Sequence, residues 1–171
     1  MEKAVGLVAE LMALSARTAP KAGGRDYVTT KVVTGKELET LASAMVKYGV
    51  ETGRNNYNRD GTNVRHSDAV LLLALHNPDP LGLNCGACGY PTCNAVKPQD
   101  GPEFAGPLCA WRFIDLGIAM GSAVKTASMF NVDNRIMYRV GAVARKIGML
   151  EGQLVLGVPL SATGKNIYYD R

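Results

Sequence analysis

Four cysteines are the residues whose type and spacing point most directly to chemistry. Cys85, Cys88, Cys93 and Cys109 are all the cysteines of the 171-residue chain, arranged Cys-x2-Cys-x4-Cys-x15-Cys. Thiolates hold Fe–S clusters, and a [4Fe–4S] cubane takes four of them converging on one site. Three closely spaced ligands can come from a tight loop, with the fourth arriving from further along the chain. Gly86 and Gly89 suit such a loop, because glycine reaches positive φ and lets backbone amides turn toward sulfur. Pro91 stiffens the loop before Cys93, Pro107 sets the approach of Cys109, and Leu83, Tyr90, Leu108 and Trp111 are candidates for excluding water. A structural zinc site also takes four cysteines, but its usual form is two Cys-x2-Cys knuckles, and Cys109 stands alone. No transmembrane-length apolar run or secretory leader is evident, so the chain reads as cytoplasmic, where thiols stay reduced and disulfides are disfavoured.

The composition allows a real core: 47% of the residues are apolar. The net charge of +4 is scattered, and aromatic content is 6%, so neither a nucleic-acid surface nor a membrane partner has a signature. No internal repeat or linker divides the sequence. The expectation is one domain over 1–171, with 83–110 inserted as the cluster-binding segment.

The elements that must position the cysteines follow from periodicity. Val5, Val8, Ala9, Leu11 and Met12 recur at helical spacing, and Ala19 to Gly24 then breaks the helix. Tyr27 to Val33, rich in β-branched residues, reads as a strand. Thr34 and Glu37 have capping-box spacing before a helix to about Lys47. Thr52 to Asp68, polar and holding Asn55, Asn56 and Asn58, reads as a loop, and the apolar run Ala69 to Leu75 as a buried strand. After the cysteines, a helix with small residues at Gly117, Gly121, Ala123 and Ala127 spans about Trp111 to Phe130. Asp133 or Asn134 is expected to cap another helix ending near Ile147 and Gly148, and Leu154 to Val158 is the last strand. Asp68, Asp115 and Asp133 read as capping residues, His66 and His76 as surface or turn histidines, and Met120, Met129, Met137 and Met149 as packing.

Several stretches resemble known families. Asn84-Cys85-Gly86-Ala87-Cys88-Gly89-Tyr90-Pro91-Thr92-Cys93, with Cys109 beyond, resembles the four-cysteine [4Fe–4S] domain of several anaerobic electron-transfer and corrinoid proteins. Ala19-Pro20-Lys21-Ala22-Gly23 resembles the Ala-Pro-Ser-x-Gly-Asn loop of nitroreductases, with Gly24 where that loop has Asn. Asp115-Leu116-Gly117-Ile118-Ala119 resembles their Asp-x-Gly-x-Ala helix, and Leu156 to Pro159 their Gly-Tyr-Pro strand end. The nitroreductase segment Arg-Arg-Ser-x-Arg has no counterpart here. Nearly the whole chain, through the Pro159–Arg171 tail, is similar to a family described as ferredoxin-domain-containing proteins.

These resemblances imply an α/β (α+β) fold, a nitroreductase-like sheet flanked by helices with an inserted iron–sulfur cluster loop. They imply a [4Fe–4S] cluster on the four cysteines and an FMN or FAD flavin contacted by Arg17, Lys21, Ala22, Gly23 and Lys165, with Arg25 and Arg171 as further cations. The implied function is a small oxidoreductase passing electrons between cluster and flavin, as a homodimer meeting a redox partner protein or a small electron acceptor. A non-enzymatic electron carrier or redox sensor using the cluster alone is the alternative, and a zinc-stabilised interaction module a third. No catalytic residue is assigned.

Overall fold

The computed structural model describes residues 1–169. Its centre is the strand β2, Ala69–Leu75, every residue of which is buried. A strand buried on both faces shows a continuous apolar run, because neither side has to be polar. Odd-numbered residues Leu71, Leu73 and Leu75 pack into one core and Val70, Leu72 and Ala74 into another. Between those two cores lies a four-stranded sheet, ordered β1-β2-β6-β5, with β1 at Val28–Val33, β6 at Leu154–Ser161 and β5 at Asp133–Asn134. All its pairings are antiparallel, so the chain is α+β.

The first core is covered by α1 (Glu2–Thr18) and α4 (Ala110–Met129), through Val5, Val8, Met12, Ala16, Leu116, Ala119, Met120 and Ala123. The second lies under α2 (Gly35–Thr52), α3 (Tyr57–Arg65) and α5 (Tyr138–Lys146). α5 sits unusually close to β6: a Cβ on Gly141 would lie 1.8 Å from the Val155 carbonyl oxygen. A Cβ on Gly157 would likewise lie 2.3 Å from Val140 Cγ1.

Four expectations are corrected. The loop expected over Thr52 to Asp68 contains α3, whose buried residues Tyr57, Asp60, Gly61 and Val64 do recur at helical spacing. Two of those four are not apolar, so the stripe is invisible to hydrophobicity. Asp60 is buried because Arg59 and Arg139 pair with it, and Gly61 because Ala42 O and Met45 Cβ lie 3.1 Å from where its Cβ would be. Asp133 and Asn134 do not cap a helix: they pair with Ser161 and Leu160 as β5, and α5 begins at Tyr138. Thr34 does occupy the N-cap of α2 but makes no side-chain cap bond; Glu37 instead accepts from Lys31 Nζ at 2.7 Å. Of the four methionines read as packing, Met129 is exposed.

Candidate metal centre

The register of the sheet decides what can meet the cysteines. Val28 faces Leu75 and Leu75 faces Leu154, so the residues before β1, those after β2 and those before β6 share one end of the sheet. The cysteine segment leaves from that end. His76 N–H donates to Tyr27 O at 2.9 Å, and Asn77 and Gln153 exchange hydrogen bonds at 2.7 and 2.8 Å.

Within the segment, Asn84, Gly86 and Gly89 have φ of 48°, 74° and 85°, which folds the chain back on itself. The Gly89 N–H closes the turn on Gly86 O at 2.9 Å. Asn84 and Cys93 then clamp each other: Asn84 N–H donates to Cys93 Sγ at 3.3 Å, and Cys93 N–H to Asn84 Oδ1 at 2.8 Å. Backbone donors aimed at sulfur stabilise a thiolate and therefore its bonds to a metal. The short hairpin of β3 (Gln99–Asp100) and β4 (Ala105–Gly106) follows. It is pinned to the body by Arg145, which donates to Asp100 Oδ1 at 2.6 Å and to Gly152 O at 2.7 Å. Glu103, between the two strands, pairs with Arg54 at 2.8 Å and accepts from Tyr57 OH.

Cys109 is the N-cap of α4 and is buried, whereas Cys88 and Cys93 are half-buried and Cys85 is exposed. Cys109 thus stands at the N-terminal end of α4, the positive end of its helix dipole. Two residues on, Trp111 Nε1–H donates to Cys85 Sγ at 3.4 Å. The Ala87 backbone N–H and then the Trp111 indole hold the Cys85 thiol below its ordinary range. Among the described residues, no three His, Cys, Asp or Glu side chains stand close enough together to hold a single metal ion. A cubane makes a different demand, since each thiolate binds a different iron and the sulfurs stand further apart than around one ion. Four free thiols, glycines at positive φ and N–H donors on two of the sulfurs fit a cluster in type and local geometry.

Beside the segment lies a buried ion pair. Asp115 is not a cap: it sits inside α4, nearly fully buried, and pairs with Arg112 at 2.9 Å. Arg112 is wholly buried; its Nε donates to Asp79 O at 2.8 Å and its Nη1 to Ala22 O at 3.1 Å, and its guanidinium lies 4.7 Å from the Tyr27 ring centre. Asp115 Oδ1 accepts the Ala22 N–H at 2.7 Å, and Tyr27 OH donates to Asp79 at 2.8 Å. The pair thus ties α4, one turn past Cys109, to the loop after α1 and to the segment leading to Cys85. The i,i+3 spacing of Arg112 and Asp115 was the available sequence signal.

The residues proposed for flavin are only partly assembled. Ala22 and Gly23 do lie beside the cysteine segment, but both backbone polar groups of Ala22 are engaged with the Arg112–Asp115 pair. A Cβ on Gly23, at φ 66°, would touch Leu81. Lys21 is almost fully buried and donates to Ala16 O and Arg17 O at 2.7 and 2.8 Å, closing the end of α1. Arg17 pairs with Asp26 at 2.7 Å. Lys165 follows β6, whose Leu160 faces Ala69 at the opposite end of β2, about 20 Å along the strand from Leu75 at ~3.4 Å per residue. Within one protomer the structure therefore does not bring Lys165 to Lys21, Ala22 and Gly23. Arg25 is exposed, and Arg171 lies outside the described residues. His66 ends α3, and His76 Nε2 lies 3.2 Å from the Asn77 amide.

A protein of Archaeoglobus fulgidus is 47% identical over 169 residues, covering 98% of this chain and 91% of that one. A family described as "uncharacterized protein containing a ferredoxin domain" matches residues 105–171, which include Cys109. The chain belongs to this family. Its fold is that of nitroreductases. The FMN-dependent nitroreductase NfnB of Mycobacterium smegmatis superimposes with a TM-score of 0.62 at 12% identity, covering 92% of this chain and 78% of that one. CinD of Lactococcus lactis gives 0.62 at 12% identity, with 93% and 78% covered. A putative Desulfovibrio desulfuricans nitroreductase in complex with FMN gives 0.59 at 11% identity, with 96% and 78% covered. Among the described residues of this ferredoxin-domain protein, no helix is long and apolar enough to cross a membrane.

Proposed function

We propose that this ferredoxin-domain protein is a cytoplasmic redox protein holding one [4Fe–4S] cluster on Cys85, Cys88, Cys93 and Cys109. The cluster supplies one-electron transfer, and the protein supplies the ligands, their orientation and the N–H donors that stabilise sulfur charge. The observation that carries the reading is the reciprocal Asn84–Cys93 clamp beside glycines at positive φ, a loop that turns the Asn84 N–H onto Cys93 Sγ and the Ala87 N–H toward Cys85. The test is anaerobic purification with iron, acid-labile sulfide, zinc and flavin quantified on one sample. About four irons and four sulfides per chain are expected for a cubane, and zinc without sulfide would overturn the proposal. Each of Cys85→Ser, Cys88→Ser, Cys93→Ser and Cys109→Ser should lose or convert the cluster.

A second reading adds a flavin that exchanges electrons with the cluster, making the protein a small oxidoreductase that serves a partner protein or a small acceptor. The fold it shares with an FMN complex favours it. The incomplete phosphate grip within one protomer means that such a flavin would draw on a second copy. The surface for that copy is the outer stripe of α4, Trp111, Ile114, Gly117, Ile118 and Gly121, which is exposed and carries no charge. A cluster-loaded sample yielding no flavin reduces the function to electron carriage or redox sensing by the cluster alone.

A further inference from the structure

The indole of Trp111 spans 26 sequence positions to reach Cys85, so one turn of α4 carries both a proposed ligand, Cys109, and a hydrogen bond to another. Trp111 is the chain's one tryptophan, and among the described residues its hydrogen-bond partner is that sulfur, at 3.4 Å. A third of its surface remains open, as does Cys85, so packing alone does not account for the ring's placement. We propose that Trp111 is a positioning residue that sets the reduction potential of the cluster by donating Nε1–H to Cys85 Sγ. This inference rests on the cluster reading given above.

The physical argument is one of differential charge. One-electron reduction adds negative charge to the cluster, and part of it appears on the ligand sulfurs. A donor aimed at Cys85 stabilises the reduced form more than the oxidised form and raises the potential. The effect works at the exposed edge of the site, where water would otherwise compete for the same sulfur. It also couples the outer stripe of α4 to the cluster site, because anything that displaces the Trp111 ring alters the bond to Cys85.

The test is a dithionite-mediated redox titration of anaerobically purified protein, followed by EPR of the reduced cluster. Trp111→Phe keeps a ring of similar bulk and removes the N–H. Its reduced-to-oxidised ratio at a fixed potential should fall about tenfold, which for one electron is a shift of about 59 mV to more negative potential. Phe113→Leu, two positions along on the exposed surface, should leave the midpoint unchanged. If Trp111→Phe cannot be loaded, Trp111→His restores a ring N–H and is titrated instead. A loaded Trp111→Phe with the wild-type midpoint overturns the tuning role and leaves the cluster reading intact. Failure of both ring variants to hold a cluster also overturns it, since the residue would then serve retention rather than potential. Wild-type protein lacking iron and sulfide would sink the underlying reading instead.

Discussion

Replacing Asp115 by Asn tests how the cysteine segment is anchored. The substitution keeps side-chain volume and leaves an amide oxygen for the Ala22 N–H, so its main effect is to strip the counter-charge from a wholly buried guanidinium. Removing one partner of a buried pair costs about 3–5 kcal/mol, because the remaining charge is left uncompensated. Arg112 keeps its bonds to the Asp79 and Ala22 carbonyls and its place on the Tyr27 ring, which argues for the lower end of that range. Its Nη2 has no partner among the described residues, so little spare compensation exists. A loss of about 3 kcal/mol with a urea slope near 2 kcal/mol/M moves the unfolding midpoint down by about 1.5 M. The assay is urea denaturation of all variants in the same metal state, extended to Arg112→Met and the double variant. The double variant should recover about 2 kcal/mol over the sum of the single effects, since it removes both charges together. A cost below about 1 kcal/mol for Asp115→Asn, or simple additivity in the cycle, would refute the claim that this pair holds α4 to the two neighbouring loops.

Three further outcomes are expected. Gly141→Ala drives a methyl into the Val155 carbonyl, which must retreat by about 1.5 Å to reach an ordinary C···O contact. At a cost of about 3 kcal/mol, thermal unfolding should begin 6–12 °C lower, roughly, whereas an unchanged melting temperature would contradict the close seating of α5 on β6. In metal-free reduced protein, iodoacetamide should label Cys85 first. Its thiol lies below the usual range through the Ala87 and Trp111 donors, so thiolate persists as pH falls and the rate profile shifts to lower pH than for free cysteine; Cys88 reacting faster would count against those donors. Gly117→Ala meets no neighbouring atom within the protomer and should stabilise α4 by about 0.5–1 kcal/mol, while weakening self-association measured by sedimentation if a second copy seats on that stripe. Unaltered association would remove α4 as the contact surface.

What the sequence disclosed depended on whether a residue's role matched its polarity. Ala69–Leu75 was legible because a strand buried on both faces has to be apolar throughout, and its boundaries were read without error. α3 was not, because its inward face uses a carboxylate neutralised by two arginines and a glycine chosen for closeness. Those choices make sense only once α2 and α5 are in place. The same holds for Asp133 and Asn134, whose side chains suggest a cap but whose backbones complete a sheet edge with residues 160 and 161.

For the site, the distinction is between local and long-range information. The cysteine loop is nearly self-contained: Asn84, Gly86, Gly89 and Cys93 form their turn from contacts within ten residues, so composition and spacing revealed it. The flavin residues were gathered by likeness of short stretches, and short stretches carry no register. Antiparallel pairing of β6 with β2 sends the chain after Leu160 to one end of the sheet, while pairing of β1 with β2 holds Ala22 and Gly23 at the other. Lys165 lies past the far end of the sheet from that loop, so under the proposed flavin reading it would have to come from a second copy. Cluster binding as proposed faces no such condition, because all four cysteines belong to one chain and Trp111, two residues after Cys109, reaches Cys85 Sγ. Cluster loading should therefore be independent of protein concentration, and flavin retention should not be.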